Sequence, residues 1–381
     1  MTAFHDEAFD APTKLKLEIF RGYVREWLPV FLTRSRTGQR GHTKVGIYDF
    51  FAGPGHDKDG YPGSPLIIIQ ELKQFCNERE QVKDQDVDIR VVLNDADIQH
   101  IETLKAEVAK IACGRGCCAV EYSALPFSDA LEANLPRISD AGSASLIIMD
   151  QFGVKEVTPE IIRNLADCRR TDILFFISSS FVRRFVDTRE IAATFDADAQ
   201  GIRTVEYNAT HRFICNYFRR KLGDAEYYLA PFSIKKGANI YGVIYGTGNL
   251  LGLEKFLDVC WKVDRATGEA NYNIDGDFAW AGQRSLFAEQ NVIRKIDLFE
   301  HDLREFIRTR SPTNHDMYKF CLTKGFRPMH AVDAMRTMQH NGEIKVLEVP
   351  SDLPARAGAF YLSYDHYKND PRVRFAIGGE Q

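Results

Sequence analysis

The chain has 381 residues, 44% of them apolar and 27% charged, and its 49 Lys and Arg against 53 Asp and Glu leave a formal net charge of −4. That composition excludes a disordered chain, a collagen-like fibre and a small disulfide scaffold, and the near-neutral balance excludes coating nucleic acid by bulk charge. At roughly 150 residues per domain, the length predicts two or three domains.

Met1 to Pro12 is acidic and lacks the apolar core of a secretion signal. No apolar run approaches the roughly 20 residues that span a bilayer. Most of the eight cysteines stand alone in apolar stretches, which predicts reduced thiols in a cytoplasmic protein. Cys113, Cys117 and Cys118 form the one cluster, and no second Cys/His pair follows at metal-ligand spacing, so no metal site is predicted.

The first element is a helix over Lys14–Thr33, with Thr13 as its cap and Leu15, Ile19, Tyr23, Trp27, Val30 and Phe31 at helical spacing. From residue 13 to 44 there are eight basic and two acidic residues, a local +6. This reads either as a solvated helix face or as a surface that attracts phosphate. Lys14, Lys16, Arg21, Arg25, Arg36 and Arg40 are the candidates for the second role.

Short apolar runs then alternate with amphipathic segments. Strands are expected at Val45–Phe51, Ile89–Leu93, Ala119–Tyr122, Ser145–Met149 and Asp172–Ile177. Helices are expected at Ser64–Phe75, capped by Ser64, and at Ile98–Ile111, Phe127–Leu135, Pro159–Ala166 and Val205–Leu222. This alternation predicts a parallel sheet covered on both faces. Tyr227–Ile234 and Ile240–Tyr245 are separated by so short a connection that they form an antiparallel hairpin. Parallel strands followed by such a pair give the Rossmann-like order of class I methyltransferases.

Asp264–Asn291 is polar and Gly-rich and reads as a linker or insertion. Beyond it, helices at Lys295–Arg308, His315–Leu322 and Pro328–Gln339 precede a strand pair, Glu343–Val349 with Ala359–Ser363. Helices then hairpin is the winged-helix order. In its third helix Ala331, Ala334, Met335 and Met338 are expected inward, and His330, Asp333, Arg336, Thr337 and Gln339 outward. Arg327 and Arg336 are its candidate nucleic-acid contacts, though the face is poor in groups that read bases, and a scaffold role fits it too. The expected organisation is a basic helical segment over 1–44, a methyltransferase-like domain over 45–263, a linker over 264–291 and a winged-helix-like domain over 292–381.

The chemistry is expected at the carboxyl ends of the parallel strands, where open α/β sheets bind ligands. Asp49-Phe50-Phe51-Ala52-Gly53-Pro54-Gly55 ends the first strand in a Gly-rich turn. Its glycines let the backbone approach a ligand closely. A carboxylate at Asp49 would repel a pyrophosphate but suits the cationic amino-acid end of S-adenosylmethionine. The third glycine of the dinucleotide fingerprint is absent, which speaks against an NAD-dependent oxidoreductase. His56 to Gly63 forms a loop over this site. Asp95, after the second strand, is positioned to accept ribose hydroxyls, with Asp97 as a helix cap. Ser123 and Ala124, after the third, would line an adenine. Asp150 and Phe152, after the fourth, are the candidate catalytic pair, with Asp150 as general base or hydrogen-bond acceptor. Amino-group methyltransferases carry Asp/Asn-Pro-Pro-aromatic here, whereas this chain has Gln151 and Gly153. His211, Arg212 and Lys235 read as solvated.

These motifs, with Thr13 to Tyr23, Trp27, Gly63-Ser64-Pro65-Leu66, Asn94-Asp95, Asp150-Gln151-Phe152-Gly153, Pro231-Phe232, Gly246-Thr247, Thr313-Asn314 and His330-Ala331, stand in the order seen in a family. The chain resembles the bacterial three-Cys-motif partner proteins (TcmP) over most of its length. The resemblance implies a methyltransferase-like domain and a winged-helix-like region. It also implies association with a three-Cys-motif protein of the iron–sulfur, radical-S-adenosylmethionine-like type. A role on or near nucleic acid, such as repair or modification, is the expectation that the basic N-terminal helix adds. It carries Asp49, Gly53, Gly55 and Asp95 over as cofactor-site residues; Phe51, Ala52 and Ser64 border them. Two functions follow as expectations: an S-adenosylmethionine-binding methyltransferase-like enzyme, or a non-catalytic partner subunit on the same fold.

Overall fold

Five apolar runs become strands: β1 (Lys44–Asp49), β2 (Asp88–Asn94), β4 (Ser143–Met149) and β5 (Thr171–Ile177) are largely buried on both faces, and β3 (Ala119–Ser123) is a half-buried edge strand. The computed structural model describes residues 8–34, 41–80, 83–84, 86–111, 117–151, 156–195, 198–236, 239–265, 268–269 and 295–378. The chain divides into two units, Met1–Val259 with Glu269–Asn273 and Cys260–Gly268 with Ile274–Gln381.

In the first unit, β6 (Tyr228–Lys236) and β7 (Asn239–Thr247) complete a seven-stranded sheet of order β3-β2-β1-β4-β5-β7-β6. The first five strands run parallel, and β7 is antiparallel to both β5 and β6. This is the class I methyltransferase arrangement expected from the sequence. β6 is an edge strand, which accommodates Pro231 and its missing N–H. The order reverses between β1 and β4, so a crevice opens at their carboxyl ends.

Helices α4 (Phe127–Ile138), α5 (Pro159–Ala166) and α9 (Thr210–Leu222) cover one face. There Phe127, Ile162, Leu165, Ile214 and Phe218 join Ile147, Ile173 and Phe175 in one core. On the other face α1 (Ala11–Leu32) lies against α2 (Ser64–Glu78) and α10 (Leu250–Val263), while α3 (Ile98–Ile111) follows β2. Gly22 permits the α1–α10 approach: a Cβ there would stand 2.8 Å from a Val259 methyl.

A buried polar cluster ties α1 to the sheet. The Tyr23 hydroxyl (2.8 Å) and the Trp27 indole N–H (3.0 Å) donate to Asp172 at the start of β5, and the Tyr23 and Tyr245 hydroxyls are 2.5 Å apart. Burial pushes the Asp172 carboxyl pKa up, opposed by these hydroxyl and indole donors.

Several expectations are corrected. Asp10, not Thr13, caps α1, accepting the Thr13 N–H at 3.0 Å. Gly63 is the cap residue of α2, so Ser64 is its first helical residue. Val205–Leu222 is not one helix; α9 begins at Thr210, after a 3₁₀ turn at Tyr207–Ala209. Three short helices, α6 (Ser179–Phe185), α7 (Arg189–Phe195) and α8 (Ala199–Thr204), fill a stretch where none was predicted. His211 is fully buried rather than solvated, and burial lowers its pKa to about 4. Its Nε2–H donates to the Val243 carbonyl (3.2 Å) and Nδ1 accepts from Ser179 (2.8 Å). Arg212 pairs with Glu269. Nor are all thiols reduced: Cys76 and Cys117 form a disulfide, their Cα atoms 6.4 Å apart where the end of α2 meets the entry to β3.

The second unit contains α11 (Lys295–Arg310), α12 (Asn314–Thr323) and α13 (Pro328–His340), then β8 (Ile344–Glu348), a one-turn helix α14 (Tyr364–Tyr367) and β9 (Val373–Ile377). β8 pairs antiparallel with β9, not with residues 359–363. That stretch turns instead, with Gly358 at φ 75° and Tyr361 at φ 53°. Ala331, Ala334, Met335 and Met338 are buried as expected. His330 does not face outward: it packs on Trp261 at 4.3 Å and accepts the Arg327 N–H. Most of the 264–291 stretch lies outside the described residues. Among the described residues no helix is long and apolar enough to cross a membrane, and no group of three or more His, Cys, Asp or Glu is placed to hold a metal.

Asp172→Ala strands the Tyr23 and Trp27 donors and should lower the unfolding free energy by about 2–4 kcal/mol in urea denaturation. Lys110→Ala, which breaks an exposed pair with Glu107, should change it by less than about 0.5 kcal/mol. Equal losses would contradict the assigned role of the cluster.

Candidate functional site

The turn after β1 is built on two left-handed glycines, Gly53 (φ 61°) and Gly55 (φ 103°). A Cβ at Gly55 would stand 2.9 Å from Leu104, so the helix behind the turn also excludes a side chain. Gly63 N–H donates to the Gly55 carbonyl at 2.7 Å, which closes the 56–63 loop back onto the turn and starts α2. Within that loop the buried Asp57 carboxylate accepts N–H groups from Phe9 (2.6 Å), Asp59 (3.0 Å) and Tyr61 (2.7 Å). The loop is thereby tied to the segment that leads into α1. The Asp57 pKa is lowered: these N–H groups and the Lys14 charge outweigh the desolvation that would raise it.

Asp49 ends β1 beneath this turn and is completely buried. Its Oδ1 accepts the Phe51 N–H at 3.3 Å. Its Oδ2 has no hydrogen-bond partner among the described residues. Burial raises its pKa to about 7; the nearby Ser64 hydroxyl and the Phe51 N–H pull it down, and the Asp150 and Asp95 charges add to the rise. The Ser64 hydroxyl lies close enough to favour the ionised form without completing a well-formed hydrogen bond.

Asp95 accepts the Gly53 N–H on Oδ2 (2.9 Å) and the Asp97 N–H (2.9 Å) and His100 Nδ1–H (3.1 Å) on Oδ1. It locks the glycine turn to the end of β2 and keeps a lone pair on Oδ2 for a further donor. Asp97 caps α3, as expected, by accepting the Gln99 N–H at 2.8 Å. The Ser123 hydroxyl does not point to a free ligand edge; it donates to Asn94 Oδ1 at 2.7 Å.

Asn94, which was not predicted as a site residue, organises all three loops. Its Nδ2 donates to the Phe50 and Leu125 carbonyls, and its Oδ1 also accepts the Leu125 N–H. Ala52 N–H donates to the Asn94 carbonyl at 2.8 Å. A buried amide beside a predicted site carboxylate is the signal that could have found it. Phe51 stacks on Phe127 at 5.1 Å and so packs on α4.

Asp150 follows β4, and its Oδ2 lies 2.5 Å from Lys16 Nζ. Arg21 and Arg25 both bond Glu71, and Lys14 lies over the Tyr61 ring. Three of the basic groups of α1 are therefore engaged by carboxylates of the same chain. Arg36, Arg40 and Phe152 lie outside the described residues. Arg327 directly precedes α13, and Arg336 pairs with Asp333 at 3.3 Å on its exposed face. Gln151, in place of the proline of amino-group enzymes, is buried and accepts the Glu156 and Val157 N–H groups.

No protein-family model matches the chain, and no curated protein is similar in sequence. Among solved structures, Trm1 from Pyrococcus horikoshii in complex with S-adenosyl-L-methionine is similar at 13% identity and a TM-score of 0.37, over 64% of this chain and 59% of that one. The match thus spans less than two thirds of Trm1. The O-methyltransferase TomG from Streptomyces achromogenes in complex with SAM is similar at 13% identity and a TM-score of 0.33, over 63% and 80%. Magnesium protoporphyrin IX methyltransferase from Synechocystis PCC 6803 with bound SAH is similar at 11% identity and a TM-score of 0.32, over 63% and 88%. Likenesses this distant carry no weight of their own; the strand order and the geometry at the strand ends do.

A carboxyl group with a raised folded-state pKa binds its proton more tightly folded than unfolded. Its contribution to stability is therefore greatest below the usual value of 3.8 and is lost as pH rises through about 7. Asp49→Asn should gain on wild type over that window, by up to about 4 kcal/mol at pH 8. Urea midpoints of both proteins between pH 4 and 8 measure it, and parallel curves would contradict the buried, unpaired carboxylate.

Proposed function

We propose that the protein binds S-adenosylmethionine at the carboxyl ends of β1 and β2 and is a methyltransferase. The observation that carries this reading is the buried Asp49 Oδ2, without a hydrogen-bond partner among the described residues, at the foot of a glycine turn. An unpaired carboxylate there destabilises the empty site, and a ligand ammonium would complete it. A phosphate would be repelled, which disfavours a dinucleotide. When bound, the cofactor supplies a methyl group activated by its sulfonium. Gly53 and Gly55 let the backbone approach the ligand, Asp49 orients its amino-acid end, and the free Oδ2 lone pair of Asp95 accepts from the ribose. Ala124 borders the base, with Ser123 and Asn94 holding that edge in place. Asp150 stands on the acceptor side.

The finer reading adds an acceptor on or near nucleic acid and a three-Cys-motif iron–sulfur partner. It is supported by the motif order that resembles the three-Cys-motif partner family, and by the run of three helices and an antiparallel ribbon in the second unit, which we read as winged-helix-like. A second reading, a partner subunit that keeps the cofactor fold without turnover, is favoured by one observation: Lys16 already engages Asp150.

Equilibrium titration with S-adenosylmethionine tests the proposal. Wild type should bind saturably, and Asp95→Ala should weaken binding about tenfold or more, the loss of a hydrogen bond to a charged group. Absence of saturable binding by wild type would overturn it.

A further inference from the structure

We propose that the methyl acceptor is a nitrogen bearing hydrogen, and that Lys16 stands in its place in the closed site. This rests on the methyltransferase reading above and deepens it. Lys16 projects from the second turn of α1, and its ammonium meets two groups at once. It is 2.5 Å from Asp150 Oδ2 and 4.5 Å from the centroid of the Phe176 ring. The pair is partly withdrawn from water, with side-chain exposures of 13% for Lys16 and 28% for Asp150. Phe176 ends on a parallel ring stack with Tyr241, 5.8 Å between centroids and 10° between planes.

Beside the pair lies a cavity of about 30 Å³. Lys16, Asp150 and Ser64 line it together with Met149, Phe175 and Val243. Ser64 is the residue whose hydroxyl lies beside Asp49. The cavity therefore holds the Lys16 nitrogen and Asp150 and, through Ser64, adjoins the surroundings of Asp49.

The chemistry of the subsite is selective. A carboxylate and the face of an aromatic ring together favour a cation or a polarised N–H. The apolar walls strengthen that preference by excluding water. A carbon acceptor offers no such hydrogen. An alcohol could donate to Asp150 but gains little from the ring face. An ammonium gains from both, as Lys16 does. The acceptor enters as the ammonium by displacing Lys16 and gives a proton to Asp150, which frees the nitrogen lone pair. In the transfer this implies, that lone pair then forms the N–C bond. The carbon–sulfur bond of the donor breaks with its electron pair left on sulfur, and the product leaves as the methylated ammonium.

Removing the occupant exposes the preference. Lys16→Ala, titrated with ethylammonium chloride against ethanol at constant ionic strength and without cofactor, should be stabilised saturably by the ammonium. The preference over the alcohol should be about tenfold or more in apparent affinity. Wild type should show no such effect, and Lys16→Ala with Asp150→Asn should lose it. Lys16→Val repeats the test with more of the wall retained, should the alanine variant fold poorly. Equal response to ammonium and alcohol in both Lys16 variants would overturn the proposal and leave the pair as a tether for α1. Titration of the same variants with S-adenosylmethionine separates the two failures. Cofactor binding without amine selectivity refutes only the acceptor assignment, and loss of cofactor binding in wild type refutes the reading beneath it.

Discussion

A carboxylate out of water with one oxygen unpaired is the constraint around which the first unit is organised. Asp49 sits at the end of β1, where the strand order reverses, and it is completely buried. Burial of an ionised group without a partner is so unfavourable that the group tends to neutralise instead, which is why its pKa rises to about 7. The surroundings lower that cost only in part, through the Phe51 N–H and the Ser64 hydroxyl. The neighbouring carboxylates Asp95 and Asp150 raise it. A cluster of three carboxyl groups at adjoining strand ends, one of them buried and half-satisfied, is a poor device for stability and a good one for receiving a cation.

The other elements hold this arrangement in register. Asn94 and Asp95 bind the loops after β1, β2 and β3 into one rim by side-chain hydrogen bonds. Helix α1 and the segment before it are attached at several heights. The Asp172 cluster holds it at the amino end of β5, Lys16 holds it to Asp150 at the carboxyl end of β4, and Phe9 is tied to the loop through Asp57. A helix that precedes the first strand in sequence thereby becomes a wall of the site. Of the basic groups in the +6 stretch over residues 13–44, legible as an attraction for phosphate, Lys16, Arg21 and Arg25 are engaged by Asp150 and Glu71 of the same chain.

Much of the first unit was legible because strands buried on both faces are near-continuous apolar runs, and because a glycine turn after Asp49 can serve only a close backbone approach. The hairpin was legible from its short connection. What escaped had no local signature. Helices α6 to α8 are short and depend on distant partners: Arg183 donates to the carbonyls of Val205 and Arg203, and Ser180 meets Tyr207. His211 looked solvated because the carbonyl and hydroxyl that satisfy it lie 32 residues away on either side. The Cys76–Cys117 bridge spans 41 residues. The pairing of β8 with β9 rather than with 359–363 turns on two left-handed residues that composition does not reveal. In the site, the carboxylates were visible as residue types at strand ends, but the Lys16–Asp150 pair spans 134 residues and follows from tertiary structure alone.

The central claim is that Asp49 waits, largely protonated below neutrality, for a ligand cation. Calorimetric titration of wild type with S-adenosylmethionine in buffers of different ionisation enthalpy reads this directly, because the arriving ammonium must drive the Asp49 proton out. The account predicts release of close to one proton per ligand at pH 6, falling toward zero at pH 8.5 and absent in Asp49→Asn. Saturable binding with no proton released at pH 6 would contradict it.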